Sequence, residues 1–215
     1  MSSLPFSFSH PTSVVIAGPS RSGKTCFVVS CLKNSLIQPF PSRIIWFFKE
    51  WQSGYDEIKA FLPSIEFHQG IENPILESIQ ASERNLVVID VLMSHAGESK
   101  RISKLFTEES HHRNLTVIFI VQNLFYQGKE MRTISLNAHY LVLYKNPRDK
   151  SQIRYLAHQI YPENSKFLSN VYDHATADPH TYLIVDLHPE TPEQFRILTN
   201  IFPGSKLRFY LPISL

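Results

Sequence analysis

At 215 residues, with 43% apolar and 19% charged side chains, the chain has the make-up of an ordinary globular domain long enough to bury a real core. Its formal net charge of +2 is too small to mark a general nucleic-acid binder, so any DNA contact has to come from a local patch. No apolar run approaches the ~20 residues of a membrane span, and Met1 to Pro11 lacks the basic start and apolar stretch of a secretory signal; the expectation is an intracellular protein with no membrane partner.

Residues 1–12 are polar and aromatic with two prolines and read as an arm leading into the first strand. Ser13-Val14-Val15-Ile16-Ala17 is short, apolar and partly β-branched, the pattern of a buried parallel strand. Gly18-Pro19-Ser20-Arg21-Ser22-Gly23-Lys24-Thr25 then fits G-x-x-x-x-G-K-[ST], the phosphate-binding P-loop, and Cys26, Phe27, Val28, Val29, Cys31 and Leu32 continue it as an apolar helix. Strand, glycine loop and helix in that order are what the motif requires. The glycines let the backbone wrap a phosphate chain, and the first amides of the helix, up to Cys26, point at the anion. Lys24 is expected to reach the β- and γ-phosphates of ATP, and the Thr25 hydroxyl to hold Mg2+. Cys26 and Cys31 stand five apart, which suits neither a metal pair nor a disulfide within a helix, so both read as small core residues.

Arg43 to Phe48 reads as a second buried strand, Glu50 to Leu62 as helical or irregular, and Ile65 to His68 as a short edge strand. Leu86-Val87-Val88-Ile89-Asp90 has the Walker B form: a self-burying strand that ends in a carboxylate beside the P-loop, where Asp90 would share Mg2+ with Thr25. A helix follows from about Glu98 to His112, with Ile102, Leu105 and Phe106 on one face and Lys100, Arg101 and Lys104 on the other. His111 and His112 point about 100° apart on such a helix and have no cysteine set beside them, which argues against zinc. Leu115 to Val121 is a further strand that delivers Gln122 and Asn123 to the edge where Asp90 sits; an amide there can orient a water or sense the γ-phosphate. Tyr126 to Arg132 reads as a loop carrying Gly128, Lys129 and Arg132, and His139 to Lys145 as another strand.

Asp149 is expected to cap a helix, with Gln152 as its capping-box partner and a core stripe of Ile153, Leu156, Ala157, Ile160 and Tyr161 stopped by Pro162. A second helix carries Leu168, Val171, Tyr172 and Ala175; Tyr182 to Asp186 is a strand, and Phe195 to Leu198 its hairpin partner. Strands alternating with helices behind a P-loop predict a mainly parallel α/β sheet sandwiched by helices over residues 13–203. The tail, 204–215, either finishes the sheet or docks a partner.

Four stretches carry a resemblance to a known family: GPSRSGKT at 18–25, LVVIDVLM at 86–93, LFTEESHHRNLTVIFIVQNLF at 105–125 and RTISLNAHYLVLYKNPRD at 132–149. Together with 175–203 they resemble the genome-packaging ATPases of the FtsK–HerA superfamily, in the branch found in Polinton/Maverick elements and adintoviruses, with the poxvirus-type packaging ATPases as more distant kin. The resemblance implies a RecA-like (ASCE) P-loop core that assembles as a homo-oligomeric ring and threads double-stranded DNA into a capsid by ATP hydrolysis. It implies a location inside an infected host cell, with a capsid vertex protein as a docking partner. Lys24 and Thr25 then match the nucleotide lysine and Mg2+ ligand, Asp90 the first Walker B acid, and Gln122 the polar sensor. An arginine from the neighbouring subunit completes such sites, for which Arg148 and Arg132 are candidates and Arg113 a third. Lys129 and Arg132 are the candidate contacts to DNA phosphates.

One departure stands out. The family has two acids in a row at the end of the Walker B strand, and the second position here is Val91, which can neither accept a proton nor orient water. Another carboxylate stands in, with Glu108 and Glu109 the candidates; or hydrolysis runs weakly on positioning by Lys24, Mg2+ and Gln122; or this copy binds ATP without turning it over, as a structural ring or relic. A helicase or conjugation-type DNA pump shares the same core and is the remaining alternative.

Overall fold

The computed structural model describes residues 6–71, 74–90, 96–110, 113–124 and 129–212, with the backbone alone for 96–99 and 109. Its strands are β1 (Phe8–Ser9), β2 (Ser13–Ala17), β3 (Ile37–Gln38), β4 (Arg43–Phe48), β5 (Glu66–Gln69), β6 (Asn85–Asp90), β7 (Leu115–Val121), β8 (Tyr140–Tyr144), β9 (Tyr182–Asp186), β10 (Ile197–Thr199) and β11 (Arg208–Phe209). The helices are α1 (Lys24–Lys33), α2 (Gly54–Phe61), α3 (Ala96–Lys104), α4 (Lys129–Asn137), α5 (Ser151–Ile160) and α6 (Ser165–Ala175). A π-helical turn, Leu105–Glu109, continues α3.

Nine strands form one sheet in the order β11-β10-β9-β8-β2-β7-β6-β4-β5. From β8 to β5 every pairing is parallel, and β2, β6, β7 and β8 are buried along nearly their whole length, which is why they read as apolar runs. A single helix between two strands returns the chain to the end from which it started. Between β8 and β9 there are two helices, α5 and α6, so β9 enters from the opposite end and pairs antiparallel with β8. Strands β10 and β11 add to that edge as antiparallel hairpin partners.

Side-chain alternation splits the core in two. Val14, Ile16, Trp46, Val88 and Ile120 face α1 and α2 and pack with Phe27, Val28, Leu32, Tyr55 and Ile58. Val15, Ala17, Val87, Ile89 and Phe119 face the other helices and pack with Ile102, Met131, Ile134, Leu156 and Leu168. Each large apolar side chain buried in this way contributes about 1.5–3 kcal/mol. Outside the main sheet, β1 pairs with β3 and holds the arm, with Phe8 buried.

Several expectations are corrected. Lys129 and Arg132 are not in a loop: they lie on α4, whose buried Met131, Ile134 and Ser135 follow helical spacing. The polar and β-branched make-up of that segment hid the period. Cys26 is exposed, because the buried stripe of α1 runs through Phe27, Val28, Cys31 and Leu32 and position 26 is turned off it. Cys31 is buried, and burial pushes its thiol well above the usual range. Asp149 and Gln152 do meet, but through side chains: Gln152 Nε2 donates to Asp149 Oδ2 at 2.8 Å, while Asp149 Oδ1 accepts the Ser151 amide at 3.0 Å. Residues 50–62 resolve into an irregular segment and α2. Val91, Tyr126, Gly128, His111 and His112 lie outside the described residues, as does the side chain of Glu109. Among the described residues no helix is long and apolar enough to cross a membrane.

Candidate nucleotide site

The parallel strands present their C-terminal ends on one edge of the sheet, and the loop after β2 turns there into α1. Gly18 must lack a side chain: a Cβ would fall 2.6 Å from Tyr144 Cβ and 2.9 Å from Ser22 Oγ. Gly23 takes φ of 104°, the left-handed region in which glycine is free of strain. Tyr144, at the end of β8, donates its hydroxyl to Gly23 O at 3.3 Å, and His180 Nδ1 donates to Ser22 O at 3.2 Å. The loop is therefore clamped from the β8 and β9 side. No acidic residue occupies the first turn of α1, leaving its amides and helix dipole to an anion.

Lys24 is buried and donates to Gly18 O at 2.7 Å and Pro19 O at 2.8 Å. Burial lowers its pKa, against the opposing pull of Asp90. At the end of β6, Asp90 Oδ2 accepts from Tyr55 at 2.9 Å and from Thr25 Oγ1 at 3.2 Å. Burial raises the Asp90 pKa even though Tyr55, Thr25 and Lys24 all favour its charged form. Tyr55 is fully buried, and burial with the adjacent carboxylate drives its hydroxyl well above the ordinary range, so it stays a donor. Gln122, past the end of β7, donates to Ser20 Oγ at 3.3 Å.

Ser20, Arg21, Lys24, Thr25, Asp90 and Gln122 line a cleft of about 800 Å3 together with residues 49–52. That is the volume of a small-molecule site. The residues fit a nucleotide with Mg2+. Ser22 Oγ is buried without a hydrogen-bond partner, Lys24 is a buried cation on loop carbonyls alone, and Thr25 and Asp90 offer the hydroxyl and carboxylate oxygens that a hard cation takes.

The strand order settles the fold. Strand β7 lies between the P-loop strand β2 and the aspartate strand β6, the RecA-like (ASCE) arrangement. This is a P-loop NTPase fold. Solved structures agree. The DNA-packaging ATPase B204 from Sulfolobus turreted icosahedral virus is similar at a TM-score of 0.57 and 14% identity, over 95% of this chain and 99% of that one. The genome-packaging NTPase B204 from Sulfolobus turreted icosahedral virus 2 is similar at 0.55 in complex with ATP-gammaS (14% identity, 95% and 98% covered) and at 0.54 in complex with AMPPCP (14%, 94% and 99%). No protein-family model matches the chain, and no curated protein matches it in sequence.

The arginines separate within the P-loop fold. Arg113 lies before β7 at the opposite edge, donating to Leu76 O at 2.8 Å. Arg148 is exposed after β8, on the P-loop edge. Arg132 is exposed on α4 and lines a second groove, of about 560 Å3, with Arg154, Tyr155 and Asp149. Neither Arg132 nor Arg148 is among the residues lining this chain's own cleft. Glu108 is exposed on the π-helical turn, 3.9 Å from Lys104, and does not line the cleft either. Three site residues escape sequence reasoning: Tyr55, His180 and Glu50. Tyr55 reaches Asp90 from α2, His180 reaches Ser22 O from the turn before β9, and Glu50 lines the cleft just past β4; no local pattern marks them.

Proposed function

We propose that the chain is a Mg2+-dependent ATPase that drives double-stranded DNA into viral capsids, as a homo-oligomeric ring of the FtsK–HerA type and of the Polinton/adintovirus branch. The observation that carries the ATPase reading is the convergence of Lys24, Thr25 and Asp90 at the N-terminus of α1 inside a nucleotide-sized cleft. The packaging reading rests on the resemblance at 18–25, 86–93, 105–125 and 132–149, and it is supported by a fold shared with packaging ATPases over nearly the whole chain.

In this reading the α1 amides and Lys24 hold the phosphates, and Lys24 leaves its loop carbonyls for the β- and γ-oxygens. Thr25 and Asp90 hold Mg2+, which when bound neutralises charge on those oxygens. Tyr55 keeps Asp90 in place, and Gln122 sits where the γ-phosphate or a water is sensed. Arg148 or Arg132 of a neighbouring subunit completes the site, and Lys129 with Arg132 on α4 contacts DNA phosphates. The ring works inside the infected cell, docked on a capsid vertex protein.

Steady-state hydrolysis with and without duplex DNA tests it. The expected result is Mg2+-dependent phosphate release that rises with DNA, the stimulation fading as salt increases. Turnover indifferent to DNA in every nucleotide state removes the motor. A second reading, an ATP-loaded ring that does not hydrolyse, is favoured by Val91 alone; sustained phosphate release by the native chain removes it.

A further inference from the structure

Resting on the ATPase reading, we propose that Gln152 is a positioning residue that fixes the sensor Gln122 by holding the backbone just beyond it. Gln122 and Asn123 stand between two anchors. The first is the end of β7: Val121 is in register with Ala17 of the P-loop strand, and its carbonyl accepts the Gly18 amide at 3.2 Å. The second is Leu124, whose side chain is buried and whose amide donates to Gln152 Oε1 at 3.1 Å.

Gln152 suits this task because a side-chain amide accepts at one atom and donates at the other. While Oε1 takes the Leu124 amide, Nε2 donates to Asp149 Oδ2 at 2.8 Å, and Asp149 Oδ1 accepts the Ser151 amide at 3.0 Å. Together the two bonds fix which way the amide faces. The side chain belongs to the first turn of α5, a helix seated on the sheet through Ile153, Leu156 and Ala157. The chain beyond the sensor is thereby tied to a rigid element.

Packing alone does not hold the sensor. A cavity of about 30 Å3, enough for a water, is lined by Gly18, Gln122, Leu124, Asp149 and Gln152 among others. A side chain beside a void lacks contact atoms there, so its position depends more on hydrogen bonds. Gln122 also lines the nucleotide cleft, where its amide donates to Ser20 Oγ at 3.3 Å. A shift of its backbone changes how that amide meets the γ-phosphate or a water and leaves Lys24, Thr25 and Asp90 in place.

The test compares the native chain with Gln122→Ala, Gln152→Leu, Gln152→Glu, the double variant Gln122→Ala/Gln152→Leu, and Lys24→Ala. Gln152→Leu keeps the size of the side chain and removes both bonds. Gln152→Glu keeps the acceptor for Leu124 but sets a second carboxylate against Asp149. Mg2+-ATP turnover is measured and, separately, the affinity for a fluorescent non-hydrolysable ATP analogue; melting curves confirm folding. Gln152→Leu is expected to lower kcat by ~10-fold while the analogue's Kd stays within about threefold, the mark of lost positioning. Gln152→Glu should fall between it and the native chain. In the Gln122→Ala background, Gln152→Leu should cost no more than about twofold, because no sensor is left to position. Native turnover in Gln152→Leu, with Lys24→Ala silent, overturns the assignment and leaves the ATPase reading standing. Losses that simply multiply in the double variant also overturn it, since Gln152 would then act apart from Gln122. So does native turnover in Gln122→Ala, and so does loss of analogue affinity in step with turnover. A native chain that binds the analogue and hydrolyses nothing overturns both this inference and the ATPase reading.

Discussion

The two edges of the sheet are built to opposite standards. At the N-terminal ends of the parallel strands, side chains close the backbone. Asn85 Nδ2 donates to Gln80 O at 2.8 Å and Glu83 O at 2.9 Å, Ser13 Oγ donates to Asn137 O at 2.9 Å, and His10 bridges Thr116 and Asn114 at 2.7 and 3.0 Å. At the C-terminal ends, burial disfavours the charges of both Lys24 and Asp90. One edge spends its polar groups on cohesion. The other holds them in a state that an anion and a cation would relieve, so it should gain stability where it loses function.

The largest break in that contrast is Lys24→Ala. Turnover should fall by at least ~10²–10³-fold, the cost of removing one preorganised cationic donor from a developing anion. The melting temperature of the nucleotide-free protein should stay within about 2 °C of native, because the side chain removed is one whose charge burial disfavours. Phosphate release assays and thermal melts on the same preparation check both halves.

At the opposite edge, Asn85→Ala should do the reverse. Removing a fully buried amide that serves separate carbonyls should cost about 2 kcal/mol in urea unfolding. Turnover per folded molecule should be unchanged. A loss of kcat without a loss of stability would mean that the two edges are not separable.

Asp90→Asn sharpens the comparison. The substitution keeps an oxygen to accept from Tyr55 and Thr25 but removes the buried charge. Since the raised pKa of Asp90 means that its surroundings as a whole disfavour the carboxylate, the nucleotide-free melting temperature should rise rather than fall. Stabilisation by Mg2+-ATP should vanish.

The smallest effect is at the β5 edge, where Arg43 grips Glu66 through Nε at 2.7 Å and Nη2 at 3.1 Å. The hydrogen bond from Arg43, with its charge and that of His68 adding, holds Glu66 below its ordinary pKa despite partial burial. A depressed carboxylate stabilises above its unfolded pKa and loses that contribution as pH falls through the folded value. Glu66→Gln should therefore cost a few tenths of a kcal/mol at pH 7, and the difference should shrink as pH falls past the ordinary glutamate range and vanish below the lowered folded value. Paired unfolding curves at pH 7 and pH 3 check it.

Legibility followed locality. Strands β2, β6, β7 and β9 stand out because a strand buried on both faces has to be apolar throughout, and the glycine loop because a phosphate cradle excludes side chains at set positions. Helix α4 does not stand out, since its buried positions are a methionine, an isoleucine and a serine among polar neighbours. Cys26 looks like its buried neighbours and differs only by the angle that one residue makes on a helix.

The sequence by itself determined the P-loop and the aspartate at the end of its strand, each written within a dozen contiguous residues, and the alternation of strands and helices along the chain. Tertiary structure alone decided what meets at the cleft. Thr25 reaches Asp90 across 65 residues, Tyr55 reaches Asp90 across 35, and His180 reaches Ser22 across 158. Those meetings follow from the order of the strands, which depends on how helices cover two faces at once. No single segment encodes that order, so neither the role of Tyr55 nor the placement of Glu50 could be read before the sheet was assembled.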